Sequence, residues 1–445
     1  MSTQQVQSRG IYHGLPVYPD DVKGLTAIIT GANGISGYYM LKVLSQDPER
    51  WSKIYCLSRR PPLLPDGLPA NAEHIALDFL QEPEDIASVL RAKKLSSDNG
   101  NDKIHVFFFS YIQAEPKPGG GIWSDAQEMC RINSLLLDNF LKALTLASIR
   151  PKRFMLQTGA KNYGGHLGPT KLPQEETDPR VELEPNFYYP QEDLLFKYAR
   201  DQDVGWNVCM PGPILGAVPD AAMNAAFPLA VYAAVSKHLG RPLEFPADIA
   251  SWQMYQSMSS SMMNAYMEEW AVLTPSARDQ KFNTCDNSSF TWEACWPRIA
   301  GWYGIGHTGP DTNPDTKWIE KQTRFNPRGY GDKGVSRRKF TFVEWARRPE
   351  VVRAWREIAE QNENGNDDGD GGLTQKGELK DVERVFGFLD GTVCRPAPLI
   401  FSTDKARKLG WHGFVDSCES LLEVFNDLAK IKMIPPVPMV DVKFN

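Results

Sequence analysis

Gly31, Gly34 and Gly37 are spaced G-x-x-G-x-x-G and follow directly on the apolar run 27–29. A helix-compatible segment, 38–44, comes next, and a short apolar run, 54–57, ends in Ser58 and the pair Arg59-Arg60. Strand, glycine turn, helix and strand in this order are the unit that holds a dinucleotide. Residues without Cβ let the backbone approach a pyrophosphate, whose charge rests on the amides of a helix N-terminus. An NAD site places an acid after the second strand for the ribose 2′-hydroxyl. Two arginines stand there instead, and guanidinium groups pair with a 2′-phosphate, which favours NADP(H). Thr30, Gly31, Asn33, Gly34, Ile35, Gly37, Ser58, Arg59 and Arg60 are therefore candidate cofactor contacts.

Reductive chemistry on such a scaffold calls for a tyrosine and a lysine, commonly four residues apart on one helix. The cation lowers the phenol pKa from about 10 and orients the nicotinamide ribose. Tyr38 and Lys42 have that spacing, but on the helix behind the glycine turn, away from any hydride acceptor. Tyr163 and Tyr188 lack a lysine four residues on, where Leu167 and Glu192 stand. A dispersed pair answers better. Lys161 follows the end of the apolar run 154–157, and Tyr188 opens the next helix, so the two converge above the nicotinamide. Other strand-end residues complete the cofactor set: Ser110, Gln157, Thr158, Pro211 and Ile214, with Asp78 for the adenine. Asp78 is equally explained by turn chemistry. Tyr111, Tyr163 and Met223 are candidates for the acceptor pocket. Asn133 reads either as a satisfied core amide or as a water holder near the lysine. The methionines at 254, 258, 262 and 267 fit core packing better than pocket lining.

These residues need a frame. Strand candidates at 74–77, 105–109, 154–157 and 206–210 alternate with helix candidates at 83–90, 125–146 and 191–201. Such alternation predicts an α/β fold, a Rossmann-type doubly wound parallel sheet whose ligands bind beyond the strands' carboxyl ends. The expected organisation is an N-terminal extension over 1–23, an NADP(H)-binding domain over 24–215, and a smaller, mainly helical substrate-binding lobe over 216–445. That lobe returns one strand to the sheet near 281–284 and carries an irregular insertion at 305–380. Within the insertion the polar, acidic tract 361–372 cannot bury apolar surface and reads as a mobile loop. Its aspartates lack the register of a calcium loop, and no metal is expected.

At this point the chain resembles a known family. The segments TGANGISG, SRRP, LQTGAKNYGG, NFYYPQEDLLF and WNVCMPGPILG are similar to the progesterone 5β-reductase and iridoid synthase (PRISE) family, an atypical branch of the extended short-chain dehydrogenases. The resemblance covers most of 24–300 and 382–436 but not 305–380. It implies that Lys161 is the catalytic lysine of T-G-x-K and Tyr188 the tyrosine of N-F-Y-Y. It further implies NADPH-dependent 1,4-reduction of an enone or enal, with hydride delivered to the β-carbon. The chain departs from the pattern at Ala160, where a basic residue is usual, at Cys209 to Pro213, where an arginine is lost, and at Tyr111, where the family carries tryptophan.

Composition narrows the rest. With 445 residues, 49 basic and 55 acidic, the chain exceeds the roughly 250–300 at which a single core stops growing and shows no basic patch for nucleic acid. No apolar run approaches the roughly 20 residues of a membrane span, and the N-terminus has no secretory signal. Seven scattered cysteines without C-x-x-C suggest neither a structural zinc nor a disulfide framework, and a cytoplasmic location fits. The expected protein is an NADPH-dependent ene-reductase acting on an apolar small molecule. A carbonyl reductase, a non-redox isomerase or cyclase, and a nucleotide-binding sensor are the alternatives, with a nucleotide-sugar epimerase weaker because Tyr-x-x-x-Lys is missing from its expected helix. A homodimer is compatible with the sequence but not required by it.

Overall fold

The run Leu25–Thr30 forms β1 and is buried along nearly all its length, as a strand covered on both faces must be. Six more strands join it in one sheet: β2 (Trp51–Ser58), β3 (Ala72–Ala76), β4 (Ile104–Phe108), β5 (Arg153–Gln157), β6 (Gly205–Pro211) and β7 (Gln280–Thr284). Their spatial order is β3-β2-β1-β4-β5-β6-β7, every neighbouring pair parallel. The order reverses between β1 and β4, which opens a crevice beyond their carboxyl ends. This computed structural model describes residues 5–93, 103–117, 123–220, 223–363, 379 and 381–438.

The longer helices of the described residues are α1 (Ile35–Leu44), α2 (Pro83–Ala92), α3 (Ala126–Leu146), α4 (Tyr188–Gln202), α5 (Ala226–His238), α6 (Ser261–Leu273), α7 (Trp292–Tyr303), α8 (Pro349–Glu363), α9 (Val382–Val393) and α10 (Ser417–Lys430). The period-two geometry of β1 sorts them. Ile28 packs on the side of α2, α3 and α4, while Ala27 and Ile29 pack with α1 and α6 on the other. A hairpin of Val6–Arg9 and Tyr12–Pro16 adds Tyr12 and Leu15 to the second face. Among the described residues no helix is long and apolar enough to cross a membrane.

The lobe departs from the reading of 305–380 as irregular. Its polar stretch holds an antiparallel hairpin, β8 (Ile319–Gln322) with β9 (Val335–Arg338), then a short helix, Phe342–Ala346, and then α8. The short helix starts at a reciprocal capping box, Thr341 with Glu344. The Asp390 carboxylate accepts the Phe342 amide at 2.8 Å. Along α8, Val351, Ala354, Trp355, Ile358 and Ala359 are buried at i, i+3, i+4, i+7 and i+8 against the lobe core that includes α5 and α9. The tract 361–372 begins inside α8; residues 364–372 lie outside the described residues.

A disulfide joins Cys295 on α7 to Cys418 on α10, Cα atoms 5.9 Å apart. It departs from the expectation that these scattered cysteines form no disulfide framework: the partners are 123 residues apart, and only the packing of the lobe brings them together.

The α8 contact can be tested directly. Trp355 is 0% exposed, so Trp355→Ala should cost about 3–5 kcal/mol in urea unfolding, the scale for truncating a buried aromatic. Parent-like stability would show that α8 does not belong to the lobe core.

Candidate active site

Close backbone approach shapes the glycine turn. Gly31 takes φ +64°, a region that suits glycine, and its amide donates to the Leu57 carbonyl at 2.8 Å. A Cβ on Gly37 would stand 2.4 Å from the Gly31 oxygen, so the third glycine lets α1 sit directly on the turn. At its start α1 has no capping side chain and no acid in its first turn. Its leading amides therefore face the crevice unclaimed, an anion seat.

The crevice opens into a cavity of about 740 Å³. Gly31, Asn33, Gly34, Ile35, Gly37, Arg59 and Arg60 line one part of it. Neither arginine has an ion-pair partner among the described residues. Ser110, Tyr111, Gln157, Thr158, Lys161, Tyr188, Pro211, Ile214 and Met223 line the continuation. Gln157 donates to Ser36 Oγ at 2.9 Å, yet its Oε1 and the Thr158 hydroxyl are buried without partners. Orphaned buried oxygens are costly unless something else satisfies them. With the uncapped helix and the unpaired arginines, they fit a dinucleotide lying across the strand ends.

Lys161 lies in a turn of 3₁₀ helix, Ala160–Tyr163, that leaves β5. Its ammonium stands 5.0 Å over the Trp123 ring and has no hydrogen bond or ion pair among the described residues. Burial pushes its pKa down, opposed by the charge of Glu184 and by Cys130. Tyr188, the first residue of α4, is held edge-on to Phe187 at 4.5 Å. Its hydroxyl reaches back to the strand end: a Cβ on Gly159 would come within 3.0 Å of it. Burial pushes its pKa well up, so at neutral pH it is a phenol able to donate. A proton donor and a cation thus face the cavity that the glycine turn opens.

Several expected contacts point elsewhere. The Thr30 hydroxyl accepts the amides of Phe109 and Ser110 at 3.1 and 3.2 Å, clamping β1 to β4 from behind. Ser58 donates to the Arg60 carbonyl at 2.7 Å and fixes the arginine turn. Asp78 accepts the Leu80 amide at 3.0 Å, as ordinary turn chemistry requires. None of the three lines the cavity. Tyr163 is corrected most sharply. The 3₁₀ turn rotates it into the core, where its hydroxyl donates to Asn283 on β7 at 2.5 Å. Asn133 is a satisfied amide, bonded to the backbone of Ile112 and Met129. Lys42 pairs with Asp427 on α10 at 3.1 Å, so Tyr38 and Lys42 belong to a helix contact.

Nothing in the sequence singles out Trp123, His166 or Gln191, or the lobe's contribution beyond Met223. Lys321 and Arg324 from the β8–β9 hairpin, Arg338 on β9 and Arg395 after α9 also line the cavity. None lies in a motif; only the hairpin's fold brings them there.

Residues 27–325 match the family described as the PRISE-like Rossmann-fold domain. The chain is 28% identical to 3-oxo-Delta(4,5)-steroid 5-beta-reductase of Arabidopsis thaliana, covering 92% of this chain and 93% of that one. It is 28% identical to an (S)-8-oxocitronellyl enol synthase of Camptotheca acuminata, with coverages of 92% and 93%. Its backbone follows UDP-glucose 4-epimerase of Thermotoga maritima with a TM-score of 0.55 at 12% identity, over 92% of this chain and 99% of that one, a likeness of fold.

The glycine contact predicts the effect of one methyl group. Gly37→Ala should force α1 off the turn, cost about 1–3 kcal/mol in urea unfolding, and weaken nucleotide binding at least tenfold by calorimetric titration. Unchanged binding would mean that the turn does not seat the pyrophosphate.

Proposed function

The chain belongs to the PRISE-like Rossmann-fold family, and on that premise we propose that it is an NADPH-dependent reductase of an activated C=C, an enone or enal, in a small molecule. One observation carries this reading: Lys161 and Tyr188, whose side-chain ammonium and hydroxyl have no hydrogen-bond partner among the described residues, face the same cavity as the glycine turn and the arginine pair. The names of the two plant relatives, a steroid 5-beta-reductase and an enol synthase, support it.

The first amides of α1 and the side chains of Gln157 and Thr158 would hold the dinucleotide, and Arg59 and Arg60 its 2′-phosphate. When bound, NADPH supplies a hydride for the β-carbon of the acceptor. Tyr188 donates a hydrogen bond to the acceptor carbonyl, and that bond strengthens as enolate charge develops. Its raised pKa keeps the proton on the phenol until the oxygen demands it. Lys161 sets a positive potential beside the reacting oxygen, and Trp123 and Phe187 shield the site from water, which strengthens both effects. A 1,2-reduction of the carbonyl would use the same donor, so the product, saturated ketone or allylic alcohol, distinguishes the two.

Two measurements test the reading. NADPH should bind at least tenfold more tightly than NADH, about 1.4 kcal/mol, and replacing Arg59 and Arg60 by glutamine should erase most of that preference. Equal affinities in the parent would sink the cofactor assignment. In single-turnover kinetics, Tyr188→Phe should keep NADPH affinity and lose about 10²–10³ in rate, the scale of one oxyanion donor. Lys161→Ala should lose rate comparably with some loss of affinity, and Tyr38→Phe should do neither. Near-parent hydride transfer in Tyr188→Phe would put the acceptor oxygen elsewhere.

A further inference from the structure

The lobe end of the cavity has an unexpected charge for an apolar acceptor. The chain carries a net charge of −6, yet the cavity wall is cationic. Arg59, Arg60 and Lys161 are accounted for by the nucleotide and the chemistry. Four further cations remain: Lys321, Arg324, Arg338 and Arg395. The lining carboxylate Asp220 is already paired with Arg384 at 2.6 Å.

The four are not equally available. Arg324 pairs with Glu184, and Arg338 lies 3.6 Å from Asp390. Lys321 is exposed on β8, where water solvates its ammonium. Arg395 differs from all three. It has no hydrogen bond or ion pair among the described residues, and its Nε is enclosed by protein without a partner. Burial alone pushes its pKa down to about 10, with no carboxylate drawing it back. An uncompensated guanidinium in a cavity wall is costly to the fold. A ligand that supplies the missing charge removes that cost on binding.

We infer that the acceptor carries a carboxylate remote from its activated C=C, and that Arg395 is the residue that selects it. One uncompensated guanidinium in the cavity wall calls for one negative charge. Its planar fork matches a carboxylate with two parallel hydrogen bonds. A diphosphate would call for more free cations than Arg395 and an exposed lysine. The inference builds on the reading of this cavity as an NADPH and acceptor site, and it narrows the acceptor from an apolar molecule to an acidic one with an apolar middle. Arg338, half neutralised by Asp390, would bring a second cation to the same wall.

The test uses the 445-residue chain, a series of straight-chain enones with a terminal carboxylate about two to six methylenes from the alkene, and their methyl esters. NADPH oxidation should show at least one acid preferred over its ester at least tenfold in kcat/KM, chiefly through KM. Arg395→Gln should bring that ratio near one, and Arg395→Lys should restore part of it. Unchanged NADPH affinity and a melting temperature no lower than the parent's certify that both variants are folded. Calorimetry with the saturated keto acids on NADP⁺-loaded protein gives a readout free of turnover: binding should be tenfold weaker in Arg395→Gln. Acid binding that depends on Arg395 without reduction of any enone would uphold the anion site and refute the reductase. Reduction with acid and ester alike, or a ratio that survives Arg395→Gln, would overturn this inference and leave the reductase standing.

Discussion

A missing methyl group governs this architecture. Because Gly37 has no side chain, α1 rests against the Gly31 carbonyl and presents bare amides to the crevice. The residues that line the cavity from the sheet side are placed relative to that seat. Thr30 ties the end of β4 to the end of β1 through two amides, which fixes where Ser110 and Tyr111 emerge. β5 lies beside β4, so Gln157, Thr158 and Lys161 leave the sheet at the same level. Tyr188 then arrives from α4 over Gly159, a second position where a side chain would intrude. Rigid strands set the heights, and absent Cβ atoms set the clearances.

The opposite wall rests on different physics. The hairpin β8–β9 is short and exposed along β8, and a two-stranded ribbon alone is marginal in water. The residues just past β9 hold it in place. Phe340, Phe342 and Trp345 enter the aromatic core around Tyr232 on α5. Asp390 on α9 accepts the Phe342 amide and stands 3.6 Å from Arg338. Hydrophobic burial thus anchors the segment, and a buried carboxylate ties its polar edge to the cavity.

How much of this was legible in the sequence depends on the range of the forces involved. The sheet strands, the glycine turn and the Lys161–Tyr188 pair rest on local signals: apolar runs, turn residues and strand-end loops. The strand ends lie within three residues of where the runs put them. Tyr163 was misplaced because a 3₁₀ turn after β5 rotates side chains differently from an extended chain. The ordered part of 305–380 had signals that its polar composition obscured, namely the Thr341–Glu344 capping box and the apolar spacing of 351, 354, 355, 358 and 359. Arg395 and the Cys295–Cys418 disulfide gave no local sign, because each depends on the packing of the lobe.

The division of the cavity along the chain has a consequence for inheritance. The residues assigned to the nucleotide all precede Leu215, and the four lobe cations all come after Lys317. A single recombination between Tyr303 and Ile319 would exchange the whole cationic wall and leave all seven strands of the sheet intact, including β7, whose neighbouring backbone Asn207 holds through the Ala277 and Gln280 carbonyls. The incoming half would need to fill the face of α5, offer a partner for Cys295, and replace Leu399, Phe401, Trp411 and Val415 in the two cores that flank the sheet. On the proposed reading, such an exchange would swap the wall that meets the acceptor as one unit and leave the residues assigned to the nucleotide unaltered.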